Sequence, residues 1–226
     1  MIAPMPTDWF PLWLSLRVAG LATLASAPLA LALAWLLTHK RFRGRQILEG
    51  VILLPLMLPA TVLAYYLLVL LAQGTPLGRL YQALCGAPLL FTWRAAALAA
   101  MLHTTPLLVR SCRDALEALD PSLERAARAC GAPWWRVLLS VSLPQARRPL
   151  LAALVLAFGR ALGDFGVTLM IAGNLPGQTQ TMPVAIYSAA ASGDASSARA
   201  FVLILSFVIL GLLCLAARLE PKRALR

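Results

Sequence analysis

The side chains able to do chemistry are few, and they concentrate in two stretches. In the first, residues 123–144 (LERAARACGAPWWRVLLSVSLP), Glu124, Arg125, Arg128 and Arg136 stand among small alanines. Gly131 lies in the middle and Leu143-Pro144 at the close. In the second, residues 160–187 (RALGDFGVTLMIAGNLPGQTQTMPVAIY), Arg160, Asp164 and Thr168 recur at every fourth position, one face of a helix. A mutual ion pair is one way for Arg160 and Asp164 to sit in a membrane; a functional role for the pair is the alternative. His103 is placed mid-way along another apolar run and reads as a histidine hydrogen-bonded to a neighbouring helix, with a transport role as the other reading.

Covalent chemistry has little to stand on. Cys85, Cys112, Cys130 and Cys214 are scattered, no CxxC occurs, and His39 and His103 are far from any cysteine pair, so no metal spacing exists. There is no GxxxxGK[ST], no GxGxxG after a strand, no GxSxG and no HExxH. The chain is therefore not expected to be an enzyme or to hold a cofactor. If ATP drives it, another polypeptide must bind the ATP.

The elements that carry these residues follow from local signals. Asp120-Pro121 offers an N-cap followed by proline at the first helical position, so a short helix is expected over 121–130. Gly131 can take a positive φ and end it. Ala132-Pro133 then starts a second short helix over about 134–143, which Pro144 is expected to close. Such a bent polar knob suits docking, since small alanines let a partner surface approach and Trp134 and Trp135 add apolar area. An amphipathic segment lying on lipid headgroups would use the same residues.

Composition decides the setting. The chain has 226 residues, of which 60% are hydrophobic and 13% charged, far from the balance of a soluble domain. It reads as a polytopic all-α membrane protein in one domain, with no alternating barrel pattern. The net charge is +11, but the basic residues fall in short runs between apolar segments, which argues for membrane orientation and against nucleic-acid binding. No basic leader precedes the first apolar run, so that run is expected to be retained.

Five spans are predicted at about 14–38, 51–72, 89–109, 150–172 and 200–217. Trp9, Phe10 and Trp13 anchor the first at an interface, and 18–38 is free of charge. Pro55 and Pro59 should kink the second. Arg94 interrupts the start of the third. Residues 73–88 and 173–199 are expected to be external loops. Segments 39–45, 110–149 and 218–226 hold four, seven and four Lys/Arg, whereas the alternate segments hold only Arg79, interfacial Arg94 and Arg199. The N-terminus should therefore be outside and the C-terminus cytoplasmic.

Residues 123–144 resemble the signature of permease subunits of bacterial ABC importers: Glu-Ala-Ala, three residues, Gly, nine residues, Ile, one residue, Leu-Pro. Ala126, Ala127, Gly131, Val141, Leu143 and Pro144 fall on that register; Arg125 stands where the family has glutamate, with Glu124 one place earlier. The stretch 160–187 is similar to molybdate permeases, where Gly-Glu-Phe-Gly leads into Gly-Asn-x-Pro-Gly-x-Thr-x-Thr and then Ala-x-Tyr; Asp164 replaces the usual glutamate and keeps its charge. The span-two text ILLPLMLPATVLAYYLL also resembles this family, so the likeness covers most of residues 41–190.

The resemblance implies a type I ABC importer permease in the bacterial inner membrane. It would act as a homodimer, with two ATPase subunits docked on a coupling insert at about 120–144. A periplasmic molybdate-binding protein would deliver the anion. It places Arg160, Asp164 and Thr168 at the subunit interface near the outer gate, lets Gly163 and Gly166 admit a close helix, and makes the loop with Asn174, Thr179 and Thr181 a candidate surface for the binding protein. Sulfate, thiosulfate or tungstate permeases share the architecture. A stand-alone channel or ion-driven carrier is the rival from another class, opposed by the scarcity of carboxylates within the membrane.

Overall fold

The computed structural model describes residues 9–40 and 42–219. Arg41, Lys222, Arg223 and Arg226, which are counted among the basic residues of segments 39–45 and 218–226, lie outside the described residues. The described residues form eleven α-helices and one π-helical turn.

Helix α1, Phe10–His39, is the longest, and α5, Trp93–Glu117, lies along it. The two meet through small residues. Ala19 and Ala22 on α1 and Ala95, Ala96, Ala99 and Ala100 on α5 are fully or almost fully buried. Short side chains let the backbones approach, which is how helices gain dispersion energy where lipid supplies no hydrophobic drive. The pair is cross-linked by hydroxyls: Thr105 Oγ1 donates to Ser26 Oγ at 3.0 Å, and Ser26 and Thr104 hydroxyls lie 3.2 Å apart. Helix α8, Leu143–Leu162, packs on both, and α11, Ala195–Leu219, packs on α8. Helix α11 turns Leu203, Phe207, Leu210 and Leu213 outward, the face of a helix solvated by lipid or covered by another chain.

Two predicted spans are broken rather than continuous. The chain bends by 108° between α2, Arg45–Met57, and α3, Ala60–Leu71. The expected proline kink is thus a full break, because Pro59 caps α3 in an extended conformation that an uninterrupted helix forbids. The predicted span 150–172 stops at Gly163 and resumes as α9, Gly166–Ala172, with the two parts bent by 58°. Among the described residues, only α1 and α11 are by themselves long and apolar enough to cross a membrane, and each bent pair qualifies if taken as one span. The predicted span 89–109 is shifted: α5 begins at Trp93 and runs on to Glu117.

The predicted loops also carry helices. Within 73–88 lies α4, Pro76–Cys85, started by Thr75, whose hydroxyl accepts from the Gly78 N–H at 3.0 Å, and ended by Gly86 at φ +73°. Within 173–199 lies α10, Met182–Ala191, tied to α1 where the Met182 N–H donates to Ser15 Oγ at 2.7 Å. Gly166 sits hard against α3, and a Cβ there would meet that of Ala60 at 2.8 Å. Gly163 has no such neighbour; it ends α8.

Candidate coupling insert and buried polar cluster

The first half of the insert forms as its signals dictate. Helix α6, Pro121–Ala129, is capped by Asp120, whose carboxylate accepts from the Ser122 N–H at 2.8 Å, and that bond holds the Asp120 carboxyl below its usual range. Gly131 takes φ +79°, and the Ala132 N–H donates to the Ala127 carbonyl at 3.2 Å, closing the helix end.

The second half corrects the expectation. Helix α7, Trp134–Val137, passes into a π turn, Leu138–Ser142, and from there without interruption into α8. Pro144 does not close a helix; it stands in the first turn of α8. The π turn is the reason. Proline lacks an N–H and its ring collides with the carbonyl four residues back. In the wider turn the Leu143 N–H donates to the Leu138 carbonyl instead, five residues back. The chain can then carry proline and keep its axis, so the insert is joined rigidly to α8.

Glu124 and Arg125 face different ways. Arg125 is exposed and donates to the Pro121 carbonyl of its own helix at 3.2 Å. Glu124 points inward, where its carboxylate accepts from the Ser142 hydroxyl at 2.6 Å and from His39 Nε2 at 3.1 Å. Arg128 lies 3.8 Å away. Burial pushes the Glu124 carboxyl up, but the Ser142 and His39 bonds and the Arg128 charge outweigh it and hold it below the usual carboxylate range. His39 Nδ1 also lies 3.2 Å from the Trp35 carbonyl. Trp35 stacks on His39 at 5.3 Å and meets Trp134 at 4.6 Å between ring centroids. The end of α1 is thereby clasped to both halves of the insert. Ala126, Gly131 and Trp135 remain on the outside, as does most of Trp134, and Ala127 is half-buried.

The buried cluster within the bundle is built around Asp164, in the break between α8 and α9. His103 Nδ1 on α5 donates to its carboxylate at 2.7 Å, and the Thr168 hydroxyl donates at 2.6 Å. All three residues are buried. The expected Arg160–Asp164 pair exists only peripherally, at 3.9 Å, with the Arg160 side chain 41% exposed. Asp164 lies beyond the end of α8, so it leaves the face on which four-residue spacing would set it beside Arg160. A hydrogen bond from His103 to a neighbouring helix is expected from its place in an apolar run, but not which residue accepts it. The long separation of His103 from Asp164 hides it, and the only signal is that both are ionisable in apolar text.

The loop with Asn174 is corrected as well. Asn174 is exposed and its carbonyl accepts from Gln180 at 2.9 Å. Thr179 and Thr181 are buried. They support the loop from beneath and cannot present themselves to a partner.

Residues 2–224 match the family model described as the binding-protein-dependent transport system inner membrane component. The chain belongs to that family. This inner membrane component is 39% identical over 221 residues to the molybdenum transport system permease protein ModB of Escherichia coli (strain K12), covering 96% of each chain. It is 41% identical over 201 residues to ModB of Haemophilus influenzae, covering 87% and 88%. The sulfate transport system permease protein CysT of Escherichia coli (strain K12) is 32% identical over 198 residues, covering 87% of this chain and 71% of CysT. Among solved structures, a chain of the inward-facing MetNI methionine ABC transporter superposes with a TM-score of 0.73 at 17% identity, covering 94% and 95%, which establishes the fold.

Proposed function

We propose that this inner membrane component is the permease subunit of an ABC importer that moves molybdate, powered by separate ATPase subunits and fed by a periplasmic binding protein. The observation that carries the reading is the near full-length similarity to the ModB proteins, which exceeds that to CysT in both identity and coverage. Five spans with the N-terminus outside and the C-terminus cytoplasmic fit the placement of basic residues in the loops. Two copies form the pathway, and one ATPase docks on each insert.

In this mechanism the permease makes no covalent chemistry. ATP-driven closure of the two ATPases displaces the inserts. Each insert is continuous with α8 through the π turn and clasped to α1 through Glu124 and His39, so its movement is delivered to both helices. At the far end of α8 the displacement reaches the break at Gly163, where Asp164 ties α9 to His103 on α5. Access then switches from inward to outward, and hydrolysis resets it. The binding protein supplies selectivity, so the path through the permease can hold the anion weakly and release it.

The test is ATP hydrolysis by the reconstituted complex with its binding protein. Molybdate should stimulate it, and sulfate should not compete. Stimulation by sulfate alone would overturn the substrate, and uptake by the chain reconstituted without an ATPase would overturn the class.

A further inference from the structure

At the end of the bundle where α1 and α5 begin, a cavity of about 480 Å³ opens among Trp13, Arg17, Phe91, Trp93 and Arg94. Its size suits a small polar ligand. The Arg17 guanidinium lies over the Trp93 ring, 4.0 Å from the centroid, and 5.2 Å from that of Trp13. The Arg94 guanidinium is 5.7 Å from the same Trp93 centroid and donates to the Tyr81 hydroxyl at 3.3 Å. Among the described residues lining the cavity there is no carboxylate. Stacking occupies a face of a guanidinium and leaves its edge N–H donors available, so two such groups in one cavity form a forked donor set for an oxyanion.

Two further observations concern the rim. Phe91 has φ +59°, a left-handed conformation in which a bulky residue is strained, and its N–H is held by the Ile171 carbonyl at 2.8 Å. The rim is also apolar and exposed, with Trp13 and Phe91 turned outward. Indoles beside arginines at the end of a membrane helix mark the headgroup level of a bilayer.

We propose that this cavity binds a tetrahedral oxyanion in the form of the phosphodiester of a membrane phospholipid. Arg17 and Arg94 supply the donors, and the acyl chains lie along the exposed aromatic rim. The apolar rim favours the lipid over a free anion. The site depends only on the chain being a membrane component and is independent of which anion it transports.

Cys85 is exposed on the cavity wall, and Cys130 is exposed at the distant Gly131 turn, which gives a local reporter and a reference. In the full chain in detergent, phosphatidylglycerol should slow maleimide labelling of Cys85 and leave Cys130 unchanged. Arg17→Gln and Arg94→Gln, made separately, should each raise the lipid concentration needed by about tenfold, the loss of a charge-assisted contact. Protection that survives both substitutions, or equal protection by diacylglycerol, would reduce the site to apolar contact and overturn the proposal. Protection by inorganic phosphate in lipid-free detergent, with none from phosphatidylglycerol, would make it a soluble-anion site and overturn the lipid assignment.

Discussion

Asp164 is the residue on which the interior depends. A buried carboxylate is tolerated only when its charge is met by hydrogen bonds and a counter-group. Here His103 and Thr168 do this, with Arg160 at the periphery. Removing the carboxylate leaves His103 buried without that partner. Asp164→Leu should therefore cost about 3–5 kcal/mol of stability, read as thermal unfolding in detergent. Arg160→Leu should change it by about 1 kcal/mol or less, because the guanidinium is half in solvent and beyond close contact. Equal losses in the two variants would return Arg160 to the role of principal partner. Spacing along the chain made Arg160 the obvious companion, and the tertiary fold chose His103.

Among the elements, the insert is organised by backbone conformation more than by packing. A Cβ built on Gly131 has no atom within 4 Å, so a side chain would fit there. The obstacle is φ +79°, which costs a β-branched residue about 1–2 kcal/mol. Gly131→Val should insert into the membrane and keep the bundle intact while substrate-stimulated ATP hydrolysis in the complex falls. Gly131→Asn, which tolerates the left-handed region, should retain more of it. Normal coupling in the valine variant would show that the bend between α6 and α7 does not transmit force. Gly131 and its turn were legible in the text. The continuity of α7 with α8 was not, because a π turn has no sequence signature that separates it from a proline stop.

For the whole molecule, the exposed surface is the informative feature. Outward-facing apolar side chains run along α2, α3 and α11, including Val51, Leu54, Tyr65, Tyr66, Phe207 and Leu210. In a membrane component much of this meets lipid, and the proposed homodimer covers the rest. Purified with its ATPase, the particle should contain two copies of this chain, measured by mass in a nanodisc. A particle with one copy would overturn the dimeric pathway.

Composition and charge placement alone established a helical membrane chain with a polar insert, since a 60% hydrophobic sequence with clustered arginines has few other stable solutions. Caps at Asp120 and turns at Gly131 were equally local, set by hydrogen bonds within a few residues. Tertiary structure alone decided that Glu124 faces its own chain and Arg125 the outside, and that Asp164 pairs with His103. The same holds for the burial of Thr179 and Thr181 and the approach of Arg17 to Trp93. Each depends on which helices lie side by side, and that follows from the packing of small residues between α1, α5 and α8, a contact no local window contains.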